Sequence, residues 1–224
     1  SGRLDAEYYQ KKYEKIENAI KSYSNGFEIL DAFIESYSTG YPYKKGSYVN
    51  DKGTPLIRIN NIKKGYLDIS NAIQIPNSDL ALSPNDIAKE NDILISMSGT
   101  IGNSCKIPSG IKAVVNQRIM KITPRNFNFE VLPLVINSLI GQLQLNRIGT
   151  GGVQTNISSN DIRKIFIPKI QEKVQKQIAT LIEESFRLKK ESEHLLEVAK
   201  LAVEKAIERD EAFAVSWLAS ELGA

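Results

Sequence analysis

The sequence predicts an α+β fold, in which a mixed β-sheet body is followed by a long coiled-coil-type helix. Two observations carry that prediction. From Phe27 to about Thr123, short apolar or β-branched runs alternate with clusters of Gly, Pro, Asn, Asp and Ser, the signature of short strands and turns. After Pro168 neither Pro nor Gly occurs until Gly223, and the composition turns to Glu, Lys, Ala, Leu and Ile, as in an uninterrupted helix. Charge divides the chain at the same place. Residues 1–170 carry 21 basic and 15 acidic side chains, whereas residues 171–224 carry 8 and 11, so the two parts face different partners.

Taken in order, residues 4–23 carry Tyr9, Tyr13, Ile16, Ile20 and Tyr23 at alternating four- and three-residue spacing, which predicts an amphipathic helix. Leu56-Ile57-Arg58-Ile59, Ala72-Ile73-Gln74-Ile75, Ile93-Leu94-Ile95-Ser96, Ala113-Val114-Val115 and Ile119-Met120-Lys121-Ile122 read as strands of one compact mixed sheet. Val131, Leu134, Val135, Leu139 and Leu143 predict a single helix from Phe129 to about Arg147. A Gly-rich loop, Gly149 to Gly152, leads to a polar stretch with a helix cap at Ser158 or Ser159 and a last strand, Ile165-Phe166-Ile167-Pro168. Gln171 to Arg209, if one helix, is about 58 Å long at 1.5 Å per residue. Its heptad stripe holds Ile178, Leu181, Leu188, Leu195, Ala199, Ala202 and Ala206, broadened by Ile182, Leu196 and Val203 and interrupted by Ser185 and Ser192. Such a stripe requires a second helix to cover it. A partner chain supplies that helix, or the stripe folds back on the 4–23 helix or on a tail bearing Phe213, Trp217 and Leu218. The expected domains are therefore 1–168, 169–210 and a C-terminal tail, 211–224.

Several function classes drop out. With one cysteine, Cys105, and one histidine, His194, among 224 residues, neither a disulfide framework nor a structural zinc site can be assembled. His194 lies within the charged helix and is read there as a solvated residue, which removes Ser-His-Asp and Cys-His chemistry. No G-x-x-x-x-G-K-[ST] loop, G-x-G-x-x-G fingerprint, D/E-x-K element or N/D-P-P-Y/F run occurs. Gly99-Thr100-Ile101-Gly102 reads as a turn between two strands. The N-terminal residues have no apolar leader, and no stretch approaches the roughly 18 apolar residues of a membrane span, so the protein is expected in the cytoplasm. What remains is a non-catalytic binding and assembly protein with no cofactor of its own. Between Ile93 and Asn160, Lys106, Lys112, Arg118, Lys121, Arg125 and Arg147 face only Glu130, and Lys44, Lys45, Lys52, Arg58, Lys63 and Lys64 form a cluster upstream. A polyanion suits that body, although a solubilising surface has the same composition.

Six segments in order resemble one family, the DNA-specificity (S) subunits of type I restriction-modification systems. Leu4-Asp5-Ala6-Glu7-Tyr8-Tyr9 is similar to the opening of its repeats. Pro55-Leu56-Ile57-Arg58-Ile59-Asn60-Asn61-Ile62 with Gly65-Tyr66-Leu67 resembles its P-[LF]-[IL]-R-x-x-[DN]-[IL] element, with Asn61 where Asp is more usual. Asn91 to Gly102 looks like its strand-turn-strand, and Val115-Asn116-Gln117-Arg118 like its N-Q strand. Gly151 to Ser158 with Ile165 to Pro168 resembles its closing signature, and Gln175-Lys176-Gln177-Ile178-Ala179 the start of its conserved helix. The likeness covers about residues 3–208. It implies a target-recognition domain that reads one half of a bipartite DNA site and a helix that sets the spacing between half-sites. It also implies methyltransferase subunits as partners, and in some assemblies a restriction subunit, with S-adenosylmethionine, ATP and Mg belonging to those partners. Members of full size carry two recognition domains and two helices. One of each here implies a natural half-length form that pairs as a homodimer through the helix, or an excised fragment.

Within that reading, phosphate contacts are sought among Lys44, Lys45, Lys63, Lys64, Arg118 and Arg147. Base-reading groups are sought among Tyr41, Tyr43, Asn60, Ser98, Thr100, Thr150, Gln154 and Thr155, and Arg58 of the upstream cluster is counted with the DNA-binding residues. Gln154 and Asn156, beside a Gly-Gly turn, serve equally well to fix the loop, and Asn116-Gln117 reads as structural. The homodimer seam is Ile178, Leu181, Ile182, Leu188, Leu195, Leu196, Ala199, Ala202 and Val203. Two other readings stand beside it: a severed recognition half of a fused methyltransferase-nuclease, and a coiled-coil scaffold that binds no DNA.

Overall fold

A computed structural model of the chain describes residues 6–50, 52–149 and 156–223. The chain divides into two compact units, residues 1–176 and 177–224.

The first unit begins with a 3₁₀ turn at Ala6–Tyr9 and helix α1 (Lys11–Lys21). The predicted 4–23 helix is therefore shorter, with Gln10 extended at φ −60°, ψ 136° ahead of it. Among the described residues ten short strands follow: β1 (Phe27–Ile29), β2 (Ile34–Ser38), β3 (Thr54–Ile57), β4 (Gln74–Ile75), β5 (Ile87–Ala88), β6 (Ile93–Ser96), β7 (Ser104–Lys106), β8 (Ala113–Val115), β9 (Ile119–Pro124) and β10 (Phe166–Pro168). Helices α2 (Val131–Asn137), α3 (Leu139–Ile148) and α4 (Ser159–Ile162) lie between β9 and β10, and α5 (Glu172–Glu208) begins the C-terminal stretch.

In place of one mixed sheet the strands form three. β1 pairs with β10; β2-β9-β6-β7 is antiparallel; β4-β3-β8-β5 is mixed, with β3 and β8 parallel. The central strands are continuous apolar runs because both their faces are covered. Ile93, Leu94 and Ile95 of β6 and all three residues of β8 are fully buried. Alternation splits β3 and β8 between two cores. Leu56 and Val114 pack with Tyr43 and Ile75, while Ile57, Ala113 and Val115 pack with Leu94, Cys105 and Ile119 of the antiparallel sheet, as a two-residue period requires. That second cluster joins the two four-stranded sheets.

The predicted 129–147 helix is broken at Ser138, whose ψ of 169° is extended. A side chain at Gly141 would meet the Ile136 carbonyl, so α3 can start against the end of α2 only with glycine there. Side-chain amides on these helices substitute for strands. Asn137 exchanges two hydrogen bonds with the Ser104 backbone (3.0 and 2.7 Å) and covers the β7 edge. Gln144 does the same at Phe166 of β10 (2.7 and 2.9 Å). Ser158 is the cap of α4, its Oγ accepting from Asp161 N at 3.1 Å. At the start of α5, Gln175 is buried; it accepts from Asn128 N at 2.7 Å and donates to the Ile170 carbonyl at 2.7 Å.

Burial pushes the Cys105 thiol up to about 12. The thiolate, which is the reactive form, is therefore scarce at neutral pH. We expect Cys105 to resist an aromatic disulfide reagent in the native protein and to react in full once the chain is unfolded in denaturant; rapid native labelling at neutral pH would contradict the packing described.

In the second unit α5 runs to Glu208 and α6 (Glu211–Leu222) follows a tight turn, capped by Asp210, whose carboxylate accepts from Phe213 N at 2.7 Å. Lys205 lies 4.8 Å from the Trp217 ring centre and Arg209 3.9 Å from that of Phe213. In one straight helix, residues twelve apart would be separated by about 18 Å, so α6 reverses and runs alongside the end of α5, where Val198, Ala202 and Ala214 are buried. The tail thus takes up the end of the apolar stripe. Upstream of it, Leu181 is 72% exposed, and Leu188, Leu195 and Leu196 are also exposed.

Candidate nucleic-acid interface

Three loops, far apart in sequence, converge on a cleft of about 930 Å³ in the first unit. The first follows β3. Arg58 precedes a 3₁₀ turn, Ile59–Asn61, and its N–H donates to Asn61 Oδ1 at 2.9 Å while Asn61 Nδ2 donates to the Asp68 carbonyl at 2.9 Å. Asn61 is buried and must both accept and donate, which an amide can do and a carboxylate cannot. This accounts for Asn at a position where Asp was the more usual expectation. The rigid turn sets Arg58, Asn60 and Lys63 along the cleft.

The second loop is the β6–β7 turn. Ser96 Oγ donates to the Thr100 carbonyl and accepts from Asn103 N at 3.0 Å, and Gly102 N donates to the Ser96 carbonyl at 2.9 Å. Gly102 has φ +75°, and a side chain there would collide with Leu145 and Gln142 of α3. Gln142 Nε2 donates to the Gly102 carbonyl at 2.9 Å, so α3 holds the turn in place. Ser98, Thr100 and Asn103 line the cleft from it.

The third loop is the β8–β9 turn, Asn116-Gln117-Arg118. Asn116 Oδ1 accepts from Gln117 N at 2.9 Å, and the Tyr41 backbone pairs with this turn through Tyr41 N to the Val115 carbonyl (3.2 Å) and Gln117 N to the Tyr41 carbonyl (3.1 Å). Arg118 sits at φ +70°, a conformation costly for a residue with a side chain and typical of sites whose surroundings enforce it. Its carbonyl accepts from Met97 N at 2.9 Å, and its side chain is exposed. Asn156 closes the wall by bridging Ser98.

The charge of the cleft is one-sided. Arg58, Lys63 and Arg118 line it with five amides and, among the described residues, no carboxylate, and among those residues none of the three cations has an acidic partner. Several cations elsewhere in the unit are neutralised. Arg147 pairs with Glu17 at 2.8 Å, Arg163 with Asp31 at 2.6 Å, Lys121 with Asp92 at 3.2 Å and Lys106 with Glu130. The Arg163 guanidinium holds the Asp31 carboxyl below its ordinary range, and Lys21, followed by Arg147, does so for Glu17.

Of the residues singled out in the sequence, Arg58, Asn60, Lys63, Ser98, Thr100 and Arg118 are brought together in the cleft. Ser98 is nearly covered, at 3% exposure. Lys44, Lys45 and Lys64 are exposed outside its lining. Tyr41 stacks edge-on against Tyr43 with ring centres 4.9 Å apart, and Tyr43 is buried in the core of the mixed sheet. Arg147 lies against Tyr8 and Glu17, on the α1–α3 packing. Thr150, Gln154 and Thr155 lie outside the described residues. Asn103, Asn116, Gln117 and Asn156 also line the cleft, together with Ile59, Ile62 and Gly99. Asn103 was not singled out from the sequence, yet it directly follows the G-x-x-G turn, where a polar residue returning into a strand is the available signal. On α5, Ile178 and Ile182 are half-buried, Ala199 and Val203 are exposed and Ala202 is buried.

No match to the curated proteins was found. Among solved structures, the chain is similar to the type I restriction-modification S subunit from M. genitalium, at 16% identity and TM-score 0.60, over 91% of this chain and 51% of that one. It is similar to the HsdS subunit from Thermoanaerobacter tengcongensis at 14% identity and TM-score 0.51, over 95% and 50%. It is also similar to the type IIG restriction endonuclease BpuSI at 13% identity and TM-score 0.59, over 80% and 28%. At these identities the likeness is one of fold, and the chain spans about half the length of the two S-subunit structures. The model of the type I restriction modification DNA specificity domain matches residues 26–198, and the chain belongs to that family.

Proposed function

We propose that this chain recognises double-stranded DNA by sequence as a non-catalytic specificity subunit of a type I restriction-modification system, and that the cleft between the three loops is where it reads. The observation that carries the reading is the concentration, among the described residues, of three cations without acidic partners and of amide and hydroxyl side chains in a cleft that no described carboxylate lines. Cations neutralise phosphates and set register, while amides and arginines read base edges. Methyltransferase subunits, and a restriction subunit where cleavage follows, supply S-adenosylmethionine, ATP and Mg chemistry. The exposed α5 stripe supports a homodimer in which one recognition domain per chain reads half of a bipartite site. A two-fold protein of this kind reads a palindrome. The fold shared with BpuSI favours one second reading, the recognition half of a fused methyltransferase-nuclease, which stays monomeric.

Selection of bound duplexes from a randomised DNA pool, with and without a cognate methyltransferase subunit, tests the reading. A gapped palindrome is the expected result; a single short motif supports the fused-enzyme reading; absence of any enrichment overturns DNA recognition. The dimer has its own test. Leu188→Glu with Leu195→Glu places charges in the exposed stripe and is expected to convert a dimer into a monomer, read as mass by light scattering, since burying unpaired carboxylates is costly. An unchanged dimeric mass would remove the stripe from the interface.

A further inference from the structure

The cleft wall contains two polar atoms that are buried and unpartnered, Arg58 Nε and Asn103 Oδ1. They are of opposite kinds, a donor and an acceptor. In the free chain the Asn103 amide is oriented by Nδ2, which donates to the Ile62 carbonyl at 3.3 Å; a flipped amide would set oxygen against oxygen there. Its backbone is fixed too, with N–H on Ser96 Oγ at 3.0 Å and the carbonyl accepting from Ser96 N at 2.9 Å. Ile62 ends the same 3₁₀ turn that Arg58 begins, so both orphans belong to one braced wall. Buried polar atoms without partners are rare in folded proteins and call for an explanation.

Phosphate alone does not explain them. A phosphate oxygen satisfies Arg58 but faces Asn103 Oδ1 acceptor to acceptor. The complement of Asn103 Oδ1 is an N–H donor, and on nucleic acid the groups that carry one at a groove edge are the exocyclic amines of adenine, cytosine and guanine. Thymine has none. We infer that Asn103 is a specificity-determining residue of the cleft, accepting a hydrogen bond from the exocyclic amine of a base while Arg58 donates to a neighbouring acceptor. The oxygen lies under the wall surface, so the contact forms with a local side-chain shift of the kind common on binding. The inference rests on the cleft being the DNA-reading site and adds to it which base class is read and by which atom.

The test compares the wild-type chain with Asn103→Leu and Asn103→Ala. Each removes the unpaired acceptor, and Leu keeps the volume. Both variants are expected to melt within a few degrees of wild type, to keep affinity for unrelated duplex DNA, and to lose about tenfold in discrimination at one position of the selected motif. In duplexes where amine-bearing bases of the motif are replaced one at a time by analogues lacking the amine, one replacement should cost wild type about tenfold and cost Asn103→Leu nothing, the pattern of a direct pair in a double-mutant cycle. If wild type enriches a motif and the variants enrich the same motif with equal discrimination, the inference is overturned while DNA recognition stands. If affinity for all duplexes falls together, Asn103 is a brace and not a reader, which also overturns it. If wild type enriches nothing, the DNA reading fails and the inference fails with it.

Discussion

Replacing Arg58, Lys63 and Arg118 together with glutamine is expected to flatten the salt dependence of DNA binding by up to about 2.7 in log–log slope, at about 0.9 per phosphate contact. Between 50 and 200 mM salt, wild-type affinity should then fall about 40-fold further than that of the variant. All three cations line the cleft and none is neutralised by a carboxylate among the described residues, so their field acts on the ligand undiminished. Arg147→Gln is the contrast. Its guanidinium is engaged by Glu17 and the Tyr8 carbonyl, so its loss should lower the melting temperature and leave the slope alone. Equal slopes for wild type and the triple variant would move the phosphate footprint off the cleft.

Asp92→Ala is expected to destabilise the chain by about 3–5 kcal/mol, the cost of stranding one member of a buried ion pair. Asp92 is 1% exposed. Its Oδ2 accepts from Lys121 Nζ at 3.2 Å and Lys89 N at 2.9 Å, and its Oδ1 from Thr123 Oγ1 at 2.7 Å. Removing it leaves Lys121 buried without a counter-charge in the middle of the antiparallel sheet. Against a total stability of about 5–15 kcal/mol, that is a large share, visible as a shift in denaturant midpoint. Asp92→Leu with Lys121→Met should recover part of the loss, because no buried charge is left behind, while Lys89 N and Thr123 Oγ1 still lose their acceptor. A single variant as stable as wild type would refute the role given to the pair.

These sites show where the sequence was readable and where it was not. The long helix was legible because nothing between Glu172 and Glu208 breaks it, and the β6–β7 turn because its two glycines take the left-handed conformation that the pattern requires. The break between α2 and α3 was not, although Gly141 marks it, because the reason is a close approach of the Ile136 carbonyl that only the packed structure reveals. Sorting ten strands into three sheets depends on pairings such as Leu56 with Val114, nearly sixty positions apart, which no local period encodes. The site was legible by residue type. Six candidates met in one cleft, whereas Tyr43 and Arg147 carry the same chemistry but are taken up by the core and by an ion pair. Asn103 escaped notice because its distinction is a missing partner, a property of the folded surroundings.

The most direct test of the central claim is lysine acylation of the intact chain, with and without a saturating selected duplex, read residue by residue by mass spectrometry. If the cleft reads DNA, Lys63 is strongly protected by the duplex, while Lys164, outside the cleft lining, reacts as before. Acylation of Lys63 at an unchanged rate, with protection appearing on lysines elsewhere, would contradict the assignment of the cleft.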